Sequence, residues 1–198
     1  MHQLHINIRS MEVELKKILA NRTKQYITDD NRVSSAVLIP IFQKDGQYNI
    51  VFIKRTMMVK RHKGQISFPG GMRDEGDNTL LETALRESEE EIGLKRDDVT
   101  ILGELDDEIT TTSNFIVTPF LASIPWPYKF IPSKEEVDEL IIVPIVALMD
   151  KVCLKPDTEI LDGKKVTSFT YHYKGTIIWG ATARILNKLL DMIESNIS

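Results

Sequence analysis

The segment Thr79–Gly93, TLLETALRESEEEIG, constrains the chain more tightly than any other stretch, because both its ends and both its faces can be read. Thr79 with Glu82 three residues on is a capping-box pattern, which marks a helix start. Gly93 stands where a left-handed C-terminal cap is wanted. At helical spacing Leu81, Ala84, Leu85, Ser88 and Ile92 gather within roughly 100° of arc and form the stripe expected to face a core. Glu87, Glu90 and Glu91 fall on the opposite side, spaced i, i+3, i+4, so they are neighbours on the helix surface.

Adjacent carboxylates repel. An exposed pair costs a few tenths of a kcal/mol, but a pair about 6 Å apart in a partly desolvated cleft costs about 3 kcal/mol at an effective dielectric of about 20. A hard cation reverses that sign, and oxygen ligands are what magnesium prefers. Taken alone, such a face reads as a solvated acidic surface. Its setting points further: Phe68-Pro69-Gly70-Gly71 just upstream reads as a tight turn whose glycines let backbone approach a ligand closely. Loop and helix together have the parts for a metal–diphosphate complex.

The rest of the chain reads as strands interleaved with helices. Residues 11–20 place Met11, Leu15, Ile18 and Leu19 on one face of an amphipathic helix. Ser34–Phe42 and Asn49–Lys54, with Lys44-Asp45-Gly46 between them, read as a hairpin. Strand-like runs follow at Thr100–Leu105, Phe115–Ile124 and Glu139–Val143, then a short helix at Pro144–Asp150 with proline in its first turn. Asp162-Gly163 marks a second hairpin, and Trp179–Glu194 reads as a closing helix. The pattern suggests a mixed sheet covered by helices, of α/β (α+β mixed) class. Residues 1–30 are expected to be a helix and lead-in, and 31–198 a single domain, since 198 residues suit one core.

Composition narrows the function. A net charge of −4 gives no global reason to expect nucleic acid. The single cysteine, Cys153, excludes an intrachain disulfide and suits a reducing compartment. It is expected to be inert. The longest apolar stretch, Leu140–Met149, falls far short of the roughly 20 residues that span a bilayer. The N-terminus lacks the order of a signal peptide, so a cytoplasmic protein is expected. Positive charge concentrates at Lys54, Arg55, Lys60, Arg61, His62 and Lys63. Arg55 and Lys63 are the candidates for phosphate docking, because a guanidinium fork suits phosphate; Lys60 and Arg61 are expected to be solvated and His62 to shape the loop. Met57 and Met58 read as gap-fillers, and Phe115, Trp126 and Tyr128 as packing residues rather than base-stacking ones.

Gly71 to Leu94, GMRDEGDNTLLETALRESEEEIGL, resembles the Nudix box, with Arg86, Glu87, Glu90, Glu91, Gly93 and Leu94 matching its latter half in type and spacing. The stretch from Gly71 to Arg86 is one residue longer than the usual pattern, Asp77 or Asn78 falls where a Glu is usual, and Ser88 replaces an aliphatic residue. The extra residue leaves the role of Asp77 open. Arg55, the run HKGQISFPGG (62–71), Gly103–Asp107, Val117-Thr118-Pro119 and Ile178–Ala183 are similar to the coenzyme A pyrophosphatase branch. The resemblance implies a Nudix-like α/β/α sandwich with a central mixed sheet. It also implies metal-dependent cleavage of coenzyme A or acyl-CoA to 3′,5′-ADP and a 4′-phosphopantetheine product. By similarity Glu87, Glu90, Glu91 and the Gly71 carbonyl hold Mg2+ or Mn2+. Arg86 pairs with a carboxylate to hold the loop against the helix, and Arg55, Lys63, Gly70 and Gly71 meet substrate. The general base is either a helix glutamate or one of Asp106, Asp107 and Glu108. The expected partner is a small coenzyme A-type nucleotide, not nucleic acid or membrane, with the chain a monomer or homodimer. The alternatives are a Nudix hydrolase for another nucleoside diphosphate derivative such as ADP-ribose, and a non-catalytic binding module.

Overall fold

The computed structural model describes residues 8–58, 63–111, 113–161 and 163–197. Helix α1 (Ile8–Asn21) leads into a hairpin of β1 (Val33–Lys44) and β2 (Gln47–Arg55). The turn is Asp45-Gly46, with φ of 51° and 78°. Two consecutive positive φ values are what a two-residue turn between twisted strands requires, and Asp-Gly tolerates them. Next come β3 (Ile66–Ser67), β4 (Gly70–Met72) and α2 (Leu80–Ile92). Strands β5 (Thr100–Glu104), β6 (Glu108–Ile109), β7 (Phe115–Ser123) and β8 (Val137–Pro144) precede the short α3 (Ile145–Leu148). A second small sheet of β9 (Leu154–Leu161), β10 (Lys164–Tyr173) and β11 (Thr176–Ile178) leads to α4 (Gly180–Ile197).

Strand β1 is the axis of the main sheet. It runs parallel to β7 from Val33 to Ile41, antiparallel to β2 from Ile41 to Lys44, and antiparallel to β4 over Ser35–Val37. Parallel and antiparallel pairs in one sheet make it mixed, as expected. Side chains alternate across it with period two. Leu38 and Phe42 of β1 pack with Ala84, Leu85 and Ile92 of α2. Ile39 and Ile41 join Met11, Leu15 and Leu19 of α1 and Leu186, Leu189 and Leu190 of α4. Each fully buried Leu or Ile contributes about 1.5–3 kcal/mol of apolar burial, so the sheet is sealed on both faces and the α/β/α layering follows.

Several elements depart from the reading above. Pro144 is the cap residue before α3 and not a member of its first turn. Gly70-Gly71 is not a tight turn but part of β4, laid against β1. The strands β3, β6 and β11 carry two or three residues each and offer no periodicity to read. Asp162 of the second hairpin turn lies outside the described residues. No helix among the described residues is long and apolar enough to cross a membrane.

Candidate active site

Helix α2 is fixed at both ends by the devices its sequence carries. The Thr79 hydroxyl accepts from the Glu82 N–H at 3.2 Å. The Glu82 carboxylate in turn accepts from the Asn78 N–H at 2.7 Å. At the other end Gly93 takes φ 68°, and the Gly93 and Leu94 N–H groups close back on Glu89 and Ser88 carbonyls. Ala84, Leu85, Ser88 and Ile92 are buried, as the stripe requires, whereas Leu81 is only half-buried.

Glu91 departs from expectation. The helical pattern puts it opposite the core stripe, but its exposure is 0%. Only one helical step of about 100° separates it from Ile92, and β4 fills that flank of the helix. The Gly70 N–H donates to its Oε2 at 2.9 Å and Arg55 Nη1 to its Oε1 at 2.8 Å. Burial drives this carboxyl above its ordinary range, opposed by the Arg55 charge and the Gly70 amide, with the Glu87 and Glu136 charges pushing the same way as burial. Both oxygens accept from N–H donors, so the surroundings are built for the ionised form.

Gly70 and Gly71 are required for different reasons. A Cβ on Gly70, whose φ is +149°, would meet the Ala36 carbonyl oxygen at 2.3 Å, so glycine is what lets β4 lie on β1. A Cβ on Gly71 would lie 2.3 Å from the Glu87 carboxyl carbon. Glu87 is half-buried and accepts from Arg86 Nη1 at 2.9 Å. Burial raises its pKa, the neighbouring Arg86 lowers it, and the charges of Glu90 and Glu136 raise it again. Glu90 is 58% exposed and turned to Arg86 Nη1 at 3.2 Å.

Arg86 holds the loop, as expected, and Asp77 is its partner. Arg86 donates from Nε and Nη2 to the two Asp77 oxygens at 3.0 and 2.9 Å, and from Nη2 to the Met72 carbonyl at 3.1 Å. Asp77 also accepts from the Thr83 hydroxyl and the Asp74 N–H, both at 2.9 Å. The Arg86 hydrogen bonds, acting against burial, hold its carboxyl well below the usual range. The one-residue extension is thus absorbed in a loop that Asp77 closes.

A cavity of about 830 Å³ opens over this wall. Arg55, Gly70, Gly71, Arg73, Arg86, Glu87 and Glu136 line it, as do Thr110, Ser113, Phe115 and Trp179–Thr182. The expected trio is divided: Glu87 lines the cavity, while Glu91 lies behind the lining and Glu90 outside it. Among the described residues no three His, Cys, Asp or Glu side chains converge as a ready-made metal set. The donors still suit a hard cation. Two carboxyls flank the glycine pair, both raised by burial and by the charges of neighbouring carboxylates, a penalty that a divalent ion removes.

Other candidates fall elsewhere. Asp106 pairs with Arg22 and accepts from the Gln25 N–H at 2.8 Å. Asp107 accepts from Lys24, the Ile27 N–H and the Thr118 hydroxyl. Glu108 is tied to Arg184 and Lys188. All three are bound into the scaffold and lie off the cavity lining. Lys54 pairs with Asp138 at 2.7 Å, and Lys63 is exposed and not a lining residue. Lys60, Arg61 and His62 lie outside the described residues. Met57 and Met58 are exposed and off the lining. Trp126 stacks on Phe42, and the Tyr128 hydroxyl caps α2 at the Gly93 carbonyl, so both pack as expected. Phe115 is a core residue that also lines the cavity.

Sequence reading missed Arg73, Glu136 and, as a lining residue, Trp179. Arg73 donates only to the Asp77 and Asn78 carbonyls, so its charge has no carboxylate partner among the described residues. Glu136 sits just before β8 in an acidic run with no periodicity to single it out. An aromatic residue directly before the glycine that opens α4 was the available signal for Trp179.

The NUDIX domain family model matches residues 32–163. An uncharacterized Nudix hydrolase NudL of Yersinia enterocolitica is 33% identical over 165 residues, 83% of this chain and 83% of that protein. Its counterpart in Pectobacterium atrosepticum is 31% identical over 160 residues, 81% of this chain and 82% of that one. In fold the chain is similar to the Mycobacterium smegmatis Nudix hydrolase RenU, with TM-score 0.53, 18% identity, and coverage of 83% of this chain and 87% of that one. It is likewise similar to a MutT/nudix family protein of Enterococcus faecalis, with TM-score 0.59, 14% identity, and coverage of 94% and 70%. With the capped glutamate helix, the glycine pair beside it and these relatives in agreement, the chain belongs to the Nudix family of pyrophosphohydrolases.

Proposed function

We propose that the chain cleaves the diphosphate of coenzyme A or an acyl-CoA, releasing 3′,5′-ADP and a 4′-phosphopantetheine product. The observation that carries the reaction type is the close approach of Glu87 to Gly71 on a cavity wall that also holds Arg55, Arg73 and Arg86. The likeness of HKGQISFPGG (62–71) to the coenzyme A branch supports the substrate.

Glu87 and Glu91, joined by Glu90 and the Gly71 carbonyl, would hold Mg2+ or Mn2+, which when bound neutralises diphosphate charge and makes water a stronger nucleophile. Arg86 and Asp77 keep the loop clamped on α2, so the Glu87 carboxylate cannot drift from Gly71. Arg55 steadies Glu91 and, like Arg73, is a lining residue of the cavity, where phosphate oxygens are oriented. The attacking water gives its proton to a carboxylate of this wall, where Glu87 and Glu136 stand.

Product analysis by mass spectrometry tests the substrate. Coenzyme A, acyl-CoA, NADH and ADP-ribose are each incubated with Mg2+ or Mn2+; 3′,5′-ADP is expected from the first two. Faster cleavage of ADP-ribose than of either coenzyme A form overturns the assignment.

A further inference from the structure

The two walls of the cavity differ in charge. Arg55, Arg73 and Arg86 line the cavity together with Glu87 and Glu136, whereas the lining wall contributed where β11 runs into α4, Trp179–Thr182, is neutral. Arg184 and Lys188 of α4 are not lining residues, and Arg184 is held by Glu108 at 3.0 Å and Glu159 at 2.6 Å, Lys188 by Glu108 at 2.8 Å. That wall is therefore a poor place for a phosphate. It offers instead the ring of Trp179, which lines the cavity while 39% exposed and stacks on no aromatic ring among the described residues. Beside it the Cβ position of Gly180 has nothing within 4 Å, which leaves room for a flat group. The buried hydroxyl oxygens of Ser113 and Ser67 also belong to lining residues and have no hydrogen-bond partner among the described residues.

We propose that this wall is a nucleobase subsite, with Trp179 as the stacking platform and Ser113 meeting the base edge. A heteroaromatic ring gains from an open indole face, and its edge presents donors and acceptors that a hydroxyl can match. A pantetheine arm is a saturated chain with two amides and has no ring to stack. The diphosphate then lies toward the arginine wall, and the arm leaves by the remaining opening. The assignment rests on the nucleoside diphosphate reading for the identity of the ligand, but it makes a claim about binding alone.

Binding of each half-product to the full chain by calorimetry, without added metal, tests it. Substituting Trp179→Ala is expected to weaken AMP and 3′,5′-ADP by about fivefold to a hundredfold and to leave 4′-phosphopantetheine unchanged. Trp179→Phe keeps a ring and should restore most of the affinity. Trp179→Leu keeps apolar volume without the ring and should bind AMP as weakly as the alanine variant, with an unchanged melting temperature. Equal weakening of both halves, loss of 4′-phosphopantetheine alone, unaltered AMP binding, or a wild type that binds no AMP each overturns the subsite. Failure to cleave any diphosphate with Mg2+ or Mn2+ overturns the proposed function instead, and leaves the binding comparison to decide the subsite.

Discussion

Glu87 lies so close to Gly71 that a methyl group on the glycine would sit 2.3 Å from the carboxyl carbon. The obstruction is the far end of a flexible side chain, so the fold can yield to it while the carboxylate moves. Gly71→Ala is expected to lower turnover about a hundredfold, the scale of a misplacement near 1 Å, with little change in melting temperature. Gly70→Ala should do the reverse, because its Cβ meets Ala36 and Val37 backbone and its φ is +149°. Strain and overpacking together predict a loss of at least about 2 kcal/mol. Urea unfolding of both variants checks the pair; matching stabilities would disprove the distinction.

Glu91→Gln is expected to destabilise the chain. Both Glu91 oxygens accept, one from Gly70 and one from Arg55, whereas a glutamine must turn its NH2 group toward one of those donors. An unsatisfied buried pairing costs about 1–3 kcal/mol. A double-mutant cycle with Arg55→Met should show coupling, since removing the second partner relieves the mismatch. Additive losses would mean that Arg55 and Glu91 do not act as a pair.

Much of this site was legible only where the cause is local. The Thr79 cap, the Gly93 cap and the Asp45-Gly46 turn depend on residues within a few positions of each other, and the structure has all three. The burial of Glu91 depends on β4, a three-residue strand with two glycines, which pairs with β1 more than thirty positions upstream in sequence. Nothing in the helix pattern announces that neighbour, so Glu91 read as solvent-facing. Arg55 looked free for phosphate for the same reason. Glu136 reaches the cavity because the chain before β8 hydrogen-bonds back to Thr56, again a long-range event.

Asp77 gives a pH signature. Its carboxyl is held below its ordinary value, chiefly by Arg86. A depressed folded value contributes stability that is present above the unfolded value of about 3.9 and is lost as acid protonates the folded side chain. Asp77→Asn should therefore cost about 2 kcal/mol at pH 7, the scale of charge-assisted hydrogen bonds. The gap to wild type should close as pH falls below about 4. Melting temperatures from pH 7 to pH 2.5 measure it, and a gap that stays constant through the acid range would rule out the Arg86–Asp77 pair as its source.

Glu87→Gln separates the proposed metal site from the scaffold. Without metal the glutamine removes one charge from a group in which Glu87, Glu90 and Glu136 repel. The metal-free variant is therefore expected to melt no lower than wild type, since it keeps the shape that fits beside Gly71. Adding Mg2+ or Mn2+ reverses the order, because a ligand that binds only the folded chain raises its stability by mass action. Wild type should gain melting temperature with increasing metal, while Glu87→Gln gains little and loses diphosphate cleavage by at least about a hundredfold. Identical metal-induced shifts in the two proteins would place the cation elsewhere, and a variant that melts lower without metal would mean that Glu87 serves the fold before it serves the site.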